Sequence, residues 1–174
     1  SNADWMHVNA IDYNLILDLI FIISRHQNEI YIIDHSTTTD EAAGHTGGNS
    51  GKGGDFLYRW GNPTAYDRGS TSSQRLDSQH GVNWIKEGYP GAGNLILYNN
   101  NYGNLSSAVF EISPPLDLDS INYVINDSEP FGPEEIEWRV TGGFHSNVHS
   151  GAFRLHTGNT LISVEDDAII FAVY

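Results

Sequence analysis

Residues 19–23 read Leu-Ile-Phe-Ile-Ile, and short apolar runs of the same kind return at 94–98 (Asn-Leu-Ile-Leu-Tyr) and at 159–163 (Asn-Thr-Leu-Ile-Ser). Runs of this length, bounded by turn residues, predict β-strands. A histidine-containing segment precedes each run in the same order. These segments are 7–9 (His-Val-Asn), 80–83 (His-Gly-Val-Asn) and 149–152 (His-Ser-Gly-Ala). The recurrence indicates an internal repeat that organises nearly the whole chain.

The repeat predicts a set of short strands in each unit, because no long window shows helical periodicity. Turn residues, including 18 glycines in the whole chain, separate the apolar runs. Long loops rich in Gly, Ser, Thr, Asp or Pro are expected at 36–55, 62–79 and 114–135. The predicted strands, in groups of four, four and three, are His7–Tyr13, Leu19–Arg25, Glu29–Asp34 and Phe56–Trp60, then Gly81–Ile85, Asn94–Tyr98, Ala108–Ile112 and Ile136–Val140, then Gly151–Leu155, Thr160–Val164 and Ala168–Val173.

Four antiparallel strands per repeat are typical of one blade of a β-propeller, in which the blades stand radially around a channel. A β-sandwich would account for the number of strands but not for the recurring features. We therefore predict an all-β fold, a β-propeller fragment of about two and a half to three four-stranded antiparallel blades. The blades are expected at about 4–62, 80–142 and 149–174, and residues 1–3 (Ser-Asn-Ala) resemble an expression-tag remnant.

A propeller fragment leaves its first and last blades each with one uncovered apolar face, because blades hide these faces only against neighbours. The edge after Val173 is also expected to be unpaired. We therefore expect a homo-oligomer formed through the open blade faces. A monomer whose terminal segment folds back over the exposed face is the competing outcome.

The charge of the chain narrows the classes of partner. Eight basic residues against 22 acidic residues give a formal net charge of −14 at pH 7. This charge repels nucleic acids and anionic membranes, so neither is expected as a partner. Any anionic substrate would need a local cluster of His, Arg and polar donors. The chain contains no cysteine, which excludes thiolate nucleophiles and thiolate metal sites.

Three histidines occupy equivalent places in the repeat. His7, His80 and His149 each open a unit, and the first strand of a propeller blade lies innermost. The three side chains could therefore converge near the mouth of the channel. A single histidine at such a place is more often a hydrogen-bonded structural residue than a catalytic one. Three histidines at equivalent places favour a site.

Two motifs carry a family resemblance. Residues 4–9 (Asp-Trp-Met-His-Val-Asn) and 24–27 (Ser-Arg-His-Gln) resemble the Asp-Trp-x-His-x-Asn and Ser-Arg-His-Gln signatures of bacterial aryl-sulfate sulfotransferases. Further similar segments follow in the same order along the chain, at 33–39, 51–55, 58–63, 79–80, 150–155 and 158–162. The resemblance implies a six-bladed propeller that moves a sulfuryl group from an aryl sulfate to a phenol through a sulfated histidine. It implies no nucleotide donor, no cofactor and no metal, and a periplasmic or secreted location.

The resemblance also assigns candidate roles to residues. His7 and His80 match the channel histidines of the family. The nucleophilic histidine is expected near the start of the third unit, where His145 and His149 both occur, with His149 ranked slightly ahead. The candidate substrate-binding residues are Asn9, Arg25 and His26.

The sequence also departs from the family pattern. The family places an Arg after the apolar strand of the second blade, whereas residues 99–104 read Asn-Asn-Asn-Tyr-Gly-Asn. Gly81 also stands where a larger residue is usual. These departures keep a second function open, in which the protein is a non-catalytic propeller of the same ancestry that binds ligands or serves a structural role. The fragment alone is also expected to be inactive if half of its channel is missing.

Overall fold

A computed structural model describes residues 3–103 and 105–174. The first two residues of the tag-like segment and Asn104, the last residue of the segment without Arg, therefore lie outside the described residues. The strands are β1 Val8–Asn14, β2 Leu19–Ser24, β3 Glu29–Asp34, β4 Tyr58–Trp60, β5 His80–Trp84, β6 Leu95–Asn99, β7 Ala108–Ile112, β8 Leu116–Asp117, β9 Asn122–Tyr123, β10 Trp138–Thr141, β11 Gly151–Arg154, β12 Thr160–Val164 and β13 Ile169–Val173. A short helix, α1, spans Thr39–Ala42, and two 3₁₀ turns span Pro63–Tyr66 and Thr71–Ser73.

The strands form three principal antiparallel sheets. We call β1-β2-β3-β4 blade 1, β5-β6-β7-β10 blade 2 and β11-β12-β13 blade 3. Every pairing between these strands is antiparallel, as in the blades of a propeller. The predicted all-β, propeller-like architecture with four, four and three strands is confirmed.

Two hydrophobic cores fill the spaces between the blades. Successive side chains of a strand point to opposite faces, so β6 serves both cores: Leu95 and Leu97 face blade 1, and Ile96 and Tyr98 face blade 3. In the first core the rings of Phe21 and Trp84 lie 4.9 Å apart. The larger first core also includes Ile23, Ile30, Ile32, Tyr58, Trp60 and Phe110, and the second includes Ile85, Val109, Phe144, Ala152, Ile162 and Val164.

The first strands of the blades lie side by side. β1 packs against β5, and β11 packs against β5 and β6. Side-chain amides join these strands: Asn9 donates from Nδ2 to the carbonyl of Gln79 at 3.0 Å, and Asn83 donates to the carbonyl of Ala152 at 2.8 Å. Both donors lie at an irregularity in the strand register, which turns a side chain out of the regular pairing. The histidine-bearing ends of the first strands are thereby brought together.

The long insertions contain local structure that the sequence did not indicate. The β8–β9 hairpin lies inside the loop predicted at 114–135, and α1 lies inside the loop predicted at 36–55. Each of the two strands has two residues and the helix has four, which is too short for a periodic pattern to show. Within the described residues, no helix has the length and apolar character needed to cross a bilayer.

The outer faces of blades 1 and 3 expose apolar side chains. On blade 1, Ile11 is 68% exposed and pairs with Ile22 on the face opposite to the first core. On blade 3, Phe153 is 52% exposed and Ile170 is 69% exposed, on the face opposite to the second core. Exposed apolar surface of this kind favours contact with another protein surface.

Candidate functional site

His80 stands at the start of β5 and is buried, with 5% of its surface exposed. Its Nδ1 lies 2.7 Å from Oδ1 of Asn100. The Asn100 amide nitrogen donates to the carbonyls of Ser146 at 2.9 Å and His149 at 3.2 Å, which identifies Oδ1 as an acceptor. The ring proton of His80 therefore sits on Nδ1, and the lone pair on Nε2 is free of that bond.

Burial lowers the pKa of His80 below its ordinary value of 6.5. The hydrogen bond with Asn100 opposes this shift, and the nearby positive charge of Arg25 adds to it. The net effect keeps the imidazole neutral near pH 7, as nucleophilic or general-base chemistry requires.

His149 lies beside His80, with 6.0 Å between the ring centroids and the rings nearly edge to face. Its side chain is 73% exposed, and its Nδ1 is 3.8 Å from Oε1 of Glu165. The backbone of His149 has φ of 49°, a left-handed conformation that is uncommon for a residue other than glycine. Backbone in this region is found often at functional sites.

His145 has different surroundings. It is half-buried, and its Nδ1 lies 3.4 Å from the hydroxyl oxygen of Ser107. That hydroxyl donates to the backbone carbonyl of Asn100 at 2.7 Å, so His145 contacts the loop framework. Of the two candidate nucleophiles, His149 is therefore the one in ring contact with His80.

Arg25 supplies a cation next to these histidines. Its guanidinium reaches from blade 1 towards the third unit, where Nη2 lies 3.5 Å from the carbonyl of Asn147. Its Nε is buried without a hydrogen-bond partner among the described residues. No carboxylate in the described part of the chain lies within ion-pair distance of it. The positive charge of Arg25 is therefore not neutralised by a carboxylate among the described residues.

His7 and His26 form a second pair, with 4.9 Å between their ring centroids. Asp4 holds both rings: its carboxylate accepts from Nδ1 of His7 at 2.6 Å, and its backbone carbonyl accepts from Nδ1 of His26 at 2.7 Å. The hydrogen bond from His7 is the main cause that lowers the pKa of Asp4. The backbone nitrogen of Arg25 donates to the carbonyl of His7 at 3.0 Å, which ties this pair to the first.

The contact between blades 2 and 3 explains the glycine at position 81. Gly81 has φ of 60°, and a Cβ built on it would lie 2.8 Å from Cα of Gly151. Two glycines therefore face each other where the first strands meet, and a larger residue would push the strands apart.

The predicted residues thus fall into two groups linked by Arg25. His80, His149 and Arg25 belong to one, and His7 and His26 belong to the other, while Asn9 uses its amide to join blades 1 and 2. A shallow depression of about 450 Å³, lined in part by Trp5, Arg25 and His26, opens beside them. A more enclosed cavity of about 460 Å³, lined by Trp60, Tyr66 and Phe131 among others, has no histidine among its described lining residues. We place the site at the histidines, because the described lining of the enclosed cavity contains no imidazole that could act as a nucleophile or base.

Sequence reasoning missed two residues of the site. The sequence pattern marks Asn100 only as part of a segment without Arg, although its side chain bonds to the ring of His80 and to the backbone carbonyl of His149. The sequence pattern marks Asp4 only as a motif residue, although it accepts hydrogen bonds from the rings of His7 and His26. Two signals in the sequence could have found them. Asn100 is a polar residue directly after a buried strand, and Asp4 lies three residues before His7.

The family model described as Arylsulfotransferase (ASST) matches residues 1–129. The match covers blade 1 and β5 to β9 of the chain, well over half of it. His145 and His149 lie beyond the matched residues. No curated protein matches the chain. The chain belongs to the arylsulfotransferase family.

Proposed function

We propose that this protein transfers a sulfuryl group from an aryl sulfate to a phenol through a histidine intermediate, without a nucleotide donor. The observation that carries the proposal is the pair His80 and His149, 6.0 Å apart, beside an Arg25 guanidinium without a carboxylate partner. Two imidazoles supply nucleophile and base, and the guanidinium supplies donors for sulfate oxygens. Aryl sulfates and phenols are the substrates that membership of the family implies.

In the first step, a lone pair on a ring nitrogen of His149 attacks the sulfur of the aryl sulfate. The bond between sulfur and the phenolic oxygen breaks, and the phenolate leaves with that electron pair. The sulfuryl group stays on the ring nitrogen as a covalent intermediate, which divides one difficult displacement into two easier ones. The exposure of the His149 ring gives the substrate room to approach.

In the second step, the hydroxyl of the acceptor phenol attacks the same sulfur. His80 takes the proton of that hydroxyl on Nε2, whose lone pair is free because Nδ1 carries the ring proton. The nitrogen–sulfur bond breaks and its electrons return to His149. The low pKa of His80 lets it release the proton to solvent before the next cycle.

Arg25 binds the oxygens of the transferred group in this proposal. Sulfuryl transfer resembles phosphoryl transfer, in which charge lies on peripheral oxygens and catalysis depends on positioning and donors. A net charge of −14 opposes the approach of an anion, so a local cation is needed. Arg25 takes the role that the resemblance assigns to an Arg after the strand of blade 2.

A non-catalytic binding or structural propeller is the second candidate. The absence of an Arg at 99–103 and the structural use of Asn9, whose amide joins two blades, favour it. This alternative predicts that aryl sulfate binds without release of phenol. The apolar outer faces of blades 1 and 3 support self-association of two copies, and the family resemblance supports a periplasmic or secreted location.

The transfer reaction is tested with 4-nitrophenyl sulfate as donor and phenol as acceptor. We expect nitrophenol release that depends on added phenol, with loss in His149→Ala and Arg25→Met. His145→Ala is the matched control and is expected to retain activity. Equal activity of all three variants would contradict the proposed roles, and binding without turnover in the wild-type protein would favour the non-catalytic alternative.

A further inference from the structure

The enclosed cavity of about 460 Å³ lies where the insertion that follows β7 packs against the outer strand of blade 1. Trp60 of β4, Tyr66 of the first 3₁₀ turn and Phe131 of the insertion line it, together with four prolines. Its described lining shares no residue with the two histidine groups. Cavities of several hundred cubic ångströms with mostly apolar and aromatic walls are the usual binding sites for small molecules.

Hydrogen bonds hold the two walls of this cavity together. The indole nitrogen of Trp60 donates to the backbone carbonyl of Pro133 at 3.0 Å. The backbone nitrogen of Phe131 donates to the hydroxyl of Tyr66 at 3.2 Å. The indole N–H, which is the only polar group of Trp60, is used within the wall, so the rings offer a ligand mainly apolar surface.

Charged side chains of both signs line the same cavity. Arg75 contributes a guanidinium, and Glu129 and Glu134 contribute carboxylates. None of the three lies within ion-pair distance of an opposite charge among the described residues. A ligand with only a negative charge would meet the two carboxylates, and a ligand with only a positive charge would meet the guanidinium. A zwitterion places an opposite charge against each of them.

We propose that this cavity binds a free aromatic α-amino acid, with its ring against the three aromatic side chains, its carboxylate at Arg75 and its ammonium group at the two glutamates. A guanidinium can hold a carboxylate through two parallel hydrogen bonds, which would orient the ligand. The net charge of −14 on the chain opposes the approach of an anion but not of a ligand whose own charges cancel. The aromatic ring supplies the apolar area that the walls can cover.

This inference goes beyond the proposed sulfuryl transfer and does not depend on it. L-Phenylalanine is the probe, because it has no phenolic hydroxyl and so cannot take the place of the acceptor phenol. Its binding is measured without aryl sulfate, so a failure of the transferase proposal leaves the result interpretable.

The test is calorimetric titration of the full chain with L-phenylalanine. We expect one ligand per chain, and affinities at least about tenfold lower for phenethylamine, which lacks the carboxylate, and for 3-phenylpropionate, which lacks the amine. Arg75→Met should weaken the binding of phenylalanine by a similar factor. The same variant should not weaken the binding of phenethylamine, because that cation makes no use of the guanidinium.

Arg139→Met is the matched control, since Arg139 is exposed and is not among the described lining residues. Its affinity for phenylalanine should equal that of the wild-type protein. Arg75 is exposed as well, and thermal unfolding without ligand separates a loss of binding from a loss of fold. Absence of phenylalanine binding in the wild-type protein, equal affinities for the three aromatic ligands, or equal affinities of Arg75→Met and Arg139→Met for phenylalanine would overturn the proposal.

Discussion

The Nδ1–H of His80 donates to Oδ1 of Asn100 at 2.7 Å, and both side chains are buried. The same amide donates to the backbone of the third unit, so one residue fixes the ring of His80 and the position of His149. The chemistry proposed for the two histidines depends on this arrangement.

Replacement of Asn100 by Asp tests that dependence. A carboxylate against the Nδ1–H of His80 favours the protonated ring, so the pKa of His80 should rise. The two donors to backbone carbonyls are also lost, which should lower the free energy of unfolding by about 1–3 kcal/mol. Proton NMR titration of the histidine ring resonances measures the first effect, and urea unfolding measures the second. An unchanged titration of His80 would contradict the hydrogen bond.

The lowered pKa of His80 predicts a dependence of stability on pH. The unfolded chain binds a proton at His80 more readily than the folded chain does, so stability is highest above the ordinary value of 6.5 and falls as the pH drops through the folded value. The carboxyl groups with lowered pKa values have ordinary pKa values of 3.8 to 4.5, so they change the free energy of unfolding only at lower pH. Urea unfolding at about pH 7.5 and about pH 5 should show a smaller loss in His80→Gln than in wild type. An equal loss in His80→Gln and in the wild-type protein would refute the assignment.

A buried ion pair joins blades 2 and 3. Nη2 of Arg154 lies 2.6 Å from Oε2 of Glu111, with 10% and 6% of the side chains exposed. Arg154→Met leaves a buried carboxylate unpaired and should lower the free energy of unfolding by about 3 kcal/mol. Arg139→Met removes an exposed guanidinium and should cost less than about 1 kcal/mol in the same denaturant titration. Equal losses of unfolding free energy in the two variants would show that the buried Glu111 carboxylate does not need Arg154 as its partner.

The open blade faces predict self-association. Ile11 and Ile170 are 68% and 69% exposed on the outer faces of blades 1 and 3. Two copies that place these faces together would cover both, so light scattering should give a mass above that of one chain. Ile170→Lys should shift the protein towards the monomer, because a charge at the contact must be desolvated. A mass near 19.2 kDa for the wild-type protein at every concentration would contradict self-association.

The strands were predictable because each one is a short run of apolar residues between turn residues. The predicted bounds of the strands at 29–34, 108–112 and 160–164 agree with β3, β7 and β12, since buried runs between turn residues have clear ends. The β8–β9 hairpin was not predicted, because two-residue strands leave no period. The proximity of His80 and His149 follows from the repeat. The contact of His7 with His26 does not, since it depends on how the turn after β2 folds back against the segment before β1.

The most direct test of the proposed function is the intact mass of the protein after brief exposure to 4-nitrophenyl sulfate without an acceptor. We expect the added mass of one sulfuryl group, located by peptide fragmentation on His149 and removed when phenol is supplied. The label should persist in His145→Ala and disappear in His149→Ala. A label that survives in His149→Ala, or a wild-type protein that releases nitrophenol without ever carrying a sulfuryl group, would contradict transfer through this histidine.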